Sequence, residues 1–132
     1  MLETPKGLRV IVTHAAFSPS SPEVQALFQQ LEVDPLYAML CHQQQCFRAR
    51  VSGKPWRMGL NGLSTQERRW PQPEACRASR QQWVSDYEAK SARFAACRFI
   101  VQLGATTLCS AAQTFVIWHD ESSKAHSTLE LA

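Results

Sequence analysis

The apolar residues of this chain come in runs of only a few, such as Phe115-Val116-Ile117-Trp118, set apart by Pro, Gly and Ser. A membrane-spanning helix needs roughly 20 consecutive apolar residues, so none is expected. Short runs suit short strands and short amphipathic helices sharing one small core, an α+β arrangement of three to four strands packed against helices. The chain has 132 residues, 45% of them hydrophobic and 19% charged. That size fits one domain, and the composition is that of a folded chain.

Local patterns place the elements. Gly7 to His14 alternates as a strand, and Ser18-Pro19-Ser20-Ser21-Pro22 then breaks it. Ser21 is a good N-cap, Pro22 suits the first helical position, and Val24, Leu27, Phe28 and Leu31 share a helical face. Asp34-Pro35 repeats the start signal for a second short helix to about Gln44. Cys46 to Ser52 reads as the cleanest strand, with Phe47, Ala49 and Val51 toward the core and Arg48 and Arg50 away from it. Trp56 to Leu60 reads as a short returning strand, and Asn61 to Glu74, with Gly62, Pro71 and Pro73, as a loop. A helix over 77–92 places Trp83 and Tyr87 at core-facing spacing, and a strand runs from Phe94 to Leu103. Ser110 with Gln113 forms a capping-box pattern, so residues 110–126 read as a helix with a stripe of Ala111, Phe115, Trp118 and Ser122. Asp120 and Lys124 are spaced for an i,i+4 pair on it.

The five cysteines, Cys41, Cys46, Cys76, Cys97 and Cys109, are odd in number and irregularly spaced. A secreted disulfide framework is usually even-numbered and denser, so reduced thiols in a cytoplasmic protein are expected. The N-terminal residues lack the apolar core of a secretory signal, which agrees.

Charge is the most informative feature for function. The formal net charge is +3, yet residues 47–80 hold eight basic residues against two acidic ones. Within them, Arg48, Arg50, Lys54, Trp56 and Arg57, then Arg68, Arg69 and Trp70, interleave guanidiniums with indoles. Guanidiniums pair with phosphates, and indoles stack on unpaired bases. The competing reading is a solvated face whose arginines pair with carboxylates such as Asp86 or Glu88.

Other constellations carry less. Cys41, His42 and Cys46 lack a fourth zinc ligand and read as packed thiols beside a surface histidine. His119-Asp120-Glu121 fan apart on a helix and read as surface polar residues; His14 and His126 lie elsewhere. No Gly-rich phosphate loop or nucleophile elbow is present, so no catalytic residue, metal or cofactor is assigned. The segments Cys46-Phe47-Arg48-Ala49-Arg50, Lys54-Pro55-Trp56-Arg57, Ala96-Cys97-Arg98-Phe99 and His119-Asp120-Glu121 together resemble those of uncharacterised bacterial proteins. That resemblance implies no activity and transfers no site residue.

The expectation is therefore a non-enzymatic binding module with a basic face for nucleic acid or another polyanion. The alternatives are a pocket for an anionic small molecule, or a small enzyme, between the Lys54–Trp70 loop and the helix bearing Trp83 and Tyr87. There, Arg50, Arg57 and His14 would hold the ligand. Self-association as a homodimer, burying surplus aromatic surface, is the third option.

Overall fold

The computed structural model describes residues 1–104 and 108–132. The fold is α+β: β1 (Leu2–Thr4), β2 (Gly7–Arg9), α1 (Pro22–Gln30), α2 (Pro35–Gln44), α3 (Arg77–Ser91), β3 (Phe94–Ala95), β4 (Arg98–Phe99), α4 (Ser110–Ser123) and β5 (Glu130–Leu131). Single 3₁₀ turns cover Pro55–Met58 and Glu74–Cys76. None of these helices is long and apolar enough to cross a membrane. The chain divides into two compact units. The first comprises residues 1–11, 50–103 and 118–132, the second residues 12–49 and 104–117, so α4 begins in the second and ends in the first.

In the first unit, β1 is the centre of a three-stranded antiparallel sheet, β2-β1-β4, with Leu2 opposite both Arg9 and Phe99. β3 and β5 pair in parallel as a separate two-stranded ribbon, which the Ala132 N–H extends by donating to the Ala95 carbonyl at 3.0 Å. The buried apolar residues are mostly small: Leu2, Met58, Ala95, Ala96, Cys97, Ala125 and Ala132. The backbone of Gly53 comes close to this core, since a methyl group there would lie 2.9 Å from the Met58 sulfur and 3.2 Å from Ala132.

The largest wholly buried side chain is His119, at 0% exposure, which corrects its reading as a surface residue. Arg9 Nη1 lies 2.8 Å from its Nε2, and Asp120 Oδ1 lies 2.7 Å from its Nδ1. A guanidinium only donates, so Nε2 accepts and the ring proton sits on Nδ1, where it is donated to Asp120. The second carboxylate oxygen accepts from His126 Nε2 at 3.1 Å. Arg9 also reaches the Cys97 sulfur at 3.6 Å, and the Cys97 thiol donates to Ser123 at 3.3 Å. Asp120 thus serves two histidines instead of pairing with Lys124.

Lys124 has a different task. Its backbone takes the left-handed conformation, φ +55°, and closes α4 with the Lys124 and Ala125 N–H groups returning to Glu121 and Asp120. Its ammonium donates to the Ser91 and Ala92 carbonyls at 2.7 and 2.9 Å, capping the negative end of α3.

In the second unit, α1 and α2 start as expected. Ser21 accepts from the Val24 N–H, Asp34 accepts from the Leu36 N–H, and proline occupies the first turn of each. Pro19, Val24 and Cys41 are buried. Phe28 packs edge-on against Tyr37 and Phe47, and the Cys109 N–H donates to the Thr13 carbonyl. Leu31, expected on the core face of α1, is exposed.

Four strand expectations are corrected. Cys46–Ser52 forms no ladder: Arg48 and Arg50 do face solvent, but so does Phe47, while Ala49 and Val51 are half-buried. Trp56–Leu60 opens within the 3₁₀ turn instead of a strand. Phe94–Leu103 breaks into β3 and β4, which join different sheets, and Phe99 and Leu103 are exposed. The first strand is likewise shorter, ending at Arg9, and it pairs with Leu2–Thr4. α4 is a helix as expected, but its buried stripe is His119 and Ser123, continued by half-buried Ala112 and Val116. Ala111, Phe115, Trp118 and Ser122 are exposed, one position off that stripe.

His119→Ala should lower unfolding stability by about 3 kcal/mol, because it empties a buried site and strands Arg9 and Asp120. Urea denaturation of Arg9→Ala, His119→Ala and the double variant should give a coupling of about 0.5–3 kcal/mol. Additive losses would show that the 2.8 Å contact carries no energy of its own.

Candidate functional site

The basic residues singled out from the sequence fall in both units. Arg48 belongs to the second, where its backbone N–H donates to the Tyr37 hydroxyl. Arg50, Lys54, Trp56, Arg57, Arg68, Arg69 and Trp70 all belong to the first. Apart from Arg50, they lie on two segments, the first of which α3 holds.

The first segment runs from Gly53 to Asn61. Tyr87 donates its hydroxyl to the Gly53 carbonyl at 2.8 Å, Lys90 its ammonium to the Gly59 carbonyl at 2.9 Å, and Trp83 its indole N–H to the Asn61 carbonyl at 2.7 Å. The Trp83 and Tyr87 rings stack on each other, centroids 5.3 Å apart. Gly59 closes the 3₁₀ turn at φ +70°, a left-handed position where glycine carries no steric penalty. Lys54 lies over the Trp56 ring at 5.3 Å, and Trp56 is 65% exposed.

The second segment is a turn over 64–70. The Ser64 N–H donates to the Glu67 carboxylate at 2.8 Å and the Glu67 N–H returns to the Ser64 hydroxyl at 3.3 Å, a reciprocal capping box. The Arg68 and Arg69 N–H groups close the turn onto the Ser64 and Gln66 carbonyls. Trp70 follows, 86% exposed. Hydrogen bonds from the Ser64 side chain, the Ser64 backbone and Ser79 hold the Glu67 carboxyl below its ordinary range against a small opposing effect of burial. Ser79 lies on α3 and donates its hydroxyl to the Cys76 carbonyl at 3.2 Å.

Ser79, Trp83, Tyr87 and Lys90 are spaced four, four and three residues apart, which sets them on one face of α3. They span eleven residues, about 16 Å at 1.5 Å per residue. Trp83 and Tyr87, read from the sequence as core-facing, are half-buried and act as donors to loop carbonyls. Two signals for this arrangement were present in the sequence: the Ser64-x-x-Glu67 spacing and the single polar–aromatic face of the helix.

The electrostatics follow from what is not paired. Among the described residues, no carboxylate lies within 4.0 Å of Arg48, Arg50, Lys54, Arg57, Arg68 or Arg69; the side-chain ion pairs are Arg77–Glu74, Arg98–Glu3 and those of His119 and His126 with Asp120. Asp86, a candidate partner, accepts from Gln82 instead. A small pocket of about 70 Å³ in the first unit is lined by residues including Gly53, Phe94 and Lys124, without arginine or histidine. His14 lies in the second unit, edge-on to Phe17. All five cysteines are free thiols, with Cys41 buried, Cys46 half-buried and His42 exposed. Among the described residues, no three His, Cys, Asp or Glu side chains gather as metal ligands.

No family model, curated protein or solved structure matches the chain.

Glu67→Gln replaces charge-assisted bonds with weaker ones. Because the folded carboxyl titrates below its ordinary value, near 4.3 in an unfolded chain, its stabilising contribution is complete above that value. It disappears as pH falls through the lowered folded value. Thermal melts of parent and variant should therefore differ at pH 7 and converge toward pH 3. A constant gap across that range would show that Glu67 acts through shape alone.

Proposed function

We propose that this chain is a non-enzymatic binding module whose partner is a polyanion, foremost a nucleic acid, engaged through Arg50 and the two basic segments of the first unit. The observation that carries this reading is a set of cations, Arg50, Lys54, Arg57, Arg68 and Arg69, that have no carboxylate partner among the described residues, with Lys54 and Arg57 on backbone tied to α3. Unpaired guanidiniums on tethered segments keep their charge available and forfeit little conformational freedom when a phosphate replaces water. The small-molecule alternative draws less support. Trp83 and Tyr87, which were to line its pocket, stack together and bond to the loop backbone.

Counterion release gives the test. Each phosphate neutralised contributes about −0.9 to the slope of log K against log salt for duplex DNA and about −0.7 for a single strand. Titrations between 20 and 200 mM salt, roughly one Debye-length regime to the next, should show a steep slope. Arg50→Ala and Arg57→Ala should each flatten it by about 1 without a marked change in melting temperature. Absence of binding at the lowest salt, or variants that mainly unfold the protein, would remove the binding-module reading.

A further inference from the structure

We infer that the polyanion is single-stranded nucleic acid, with unpaired bases stacking on Trp56 and Trp70 while Arg50, Arg57, Arg68 and Arg69 meet phosphates. This rests on the polyanion reading above and narrows it to one class of partner.

The first observation is the exposure of the indoles. Trp56 and Trp70 are 65% and 86% exposed, so most of each indole is open to a partner that stacks on it. Each is next in sequence to an arginine, Trp56 before Arg57 and Trp70 after Arg69. A sugar–phosphate backbone with bases splayed from it presents the same alternation, charge beside an aromatic plane. Lys54 lies over the Trp56 ring at 5.3 Å, which adds a cation beside that indole.

The second observation is support. Trp83, Tyr87 and Lys90 donate to the Asn61, Gly53 and Gly59 carbonyls and so fix the backbone that carries Trp56 and Arg57.

The third argues against a duplex. Major-groove readout needs a helix or ribbon presenting base-contacting side chains. α3 does not offer a row of them: Arg77 is paired with Glu74 at 2.6 Å, Lys90 is committed to the Gly59 carbonyl, and Arg80 is half-buried. Its Trp83–Lys90 face is engaged with the first segment itself.

The test compares four probes by fluorescence anisotropy at low salt: a labelled oligothymidylate of about 12 nucleotides, within the range that single-strand binding folds occupy, an abasic strand of equal length, a duplex of equal length and inorganic polyphosphate. The expected result is binding of oligothymidylate on the order of tenfold tighter than the abasic strand, with quenching of tryptophan emission. Trp56→Ala and Trp70→Ala should each remove most of that advantage, and Trp56→Phe should retain part of it. Circular-dichroism melts show whether each variant is folded. Equal affinity for oligothymidylate, abasic strand and polyphosphate would overturn the stacking inference and leave the polyanion reading standing. Tighter binding of the duplex would overturn it too. No binding of any probe would overturn both.

Discussion

The first unit is organised around a shortage of large apolar side chains at its centre. Ala95, Ala96, Cys97, Ala125 and Ala132 are buried there, and the wholly buried side chains of greatest volume include His119 and Ser123 but no aliphatic residue longer than cysteine. Small side chains bury little surface, and burial stabilises in proportion to apolar area. Side-chain donors that seek out backbone carbonyls make up part of the difference. Tyr87, Lys90 and Trp83 fasten one loop, Arg98 donates to the Leu129 carbonyl, and Lys124 closes α3. Arg9, His119 and Asp120 join β2 to α4 through the interior. The surface character of the basic segments follows from the same economy. The backbone of the first accepts these donors, and Trp56, Arg68, Arg69 and Trp70 are exposed while Lys54 and Arg57 are half-buried.

Helix starts were legible in the sequence because they use side-chain chemistry: Ser21 with Pro22, Asp34 with Pro35, and the onset of α4 at Ser110. Helix ends were much less so. α1, α2 and α4 all close on a non-glycine residue in the left-handed region, Glu32, Gln45 and Lys124, where the usual sequence marker is glycine. Strands were the least legible. Alternation over Cys46–Ser52 and Phe94–Leu103 is real, but a strand needs a neighbour to pair with. The ladder partners here are the chain's extremities, Leu2–Thr4 and Glu130–Leu131, whose runs are too short to announce themselves.

The candidate site shows the same division. Which residues are basic, and which tryptophans accompany them, could be read directly. The support beneath the first segment was signalled only by the face of α3 that bears Trp83, Tyr87 and Lys90, which hydrophobic spacing reads as core. The slip of one position in the α4 stripe has a similar origin. Scoring Phe115 and Trp118 as core by hydrophobicity hides His119, which is buried because it is hydrogen-bonded on both ring nitrogens.

The placement of β1 has a consequence for how the chain is assembled. Leu2–Thr4 can close a local hairpin with Gly7–Arg9 as soon as both are made. Its other edge must wait for Arg98–Phe99, and Arg9 must wait for His119. Contacts so distant along the chain carry a loop-closure cost before they return any stabilisation, and they slow folding. During ribosomal synthesis the hairpin therefore emerges with an open strand edge and a guanidinium whose partner has not been translated. Val12–Ala49, by contrast, carries both α1 and α2 in one continuous stretch and can pack them against each other while the remainder is still being made.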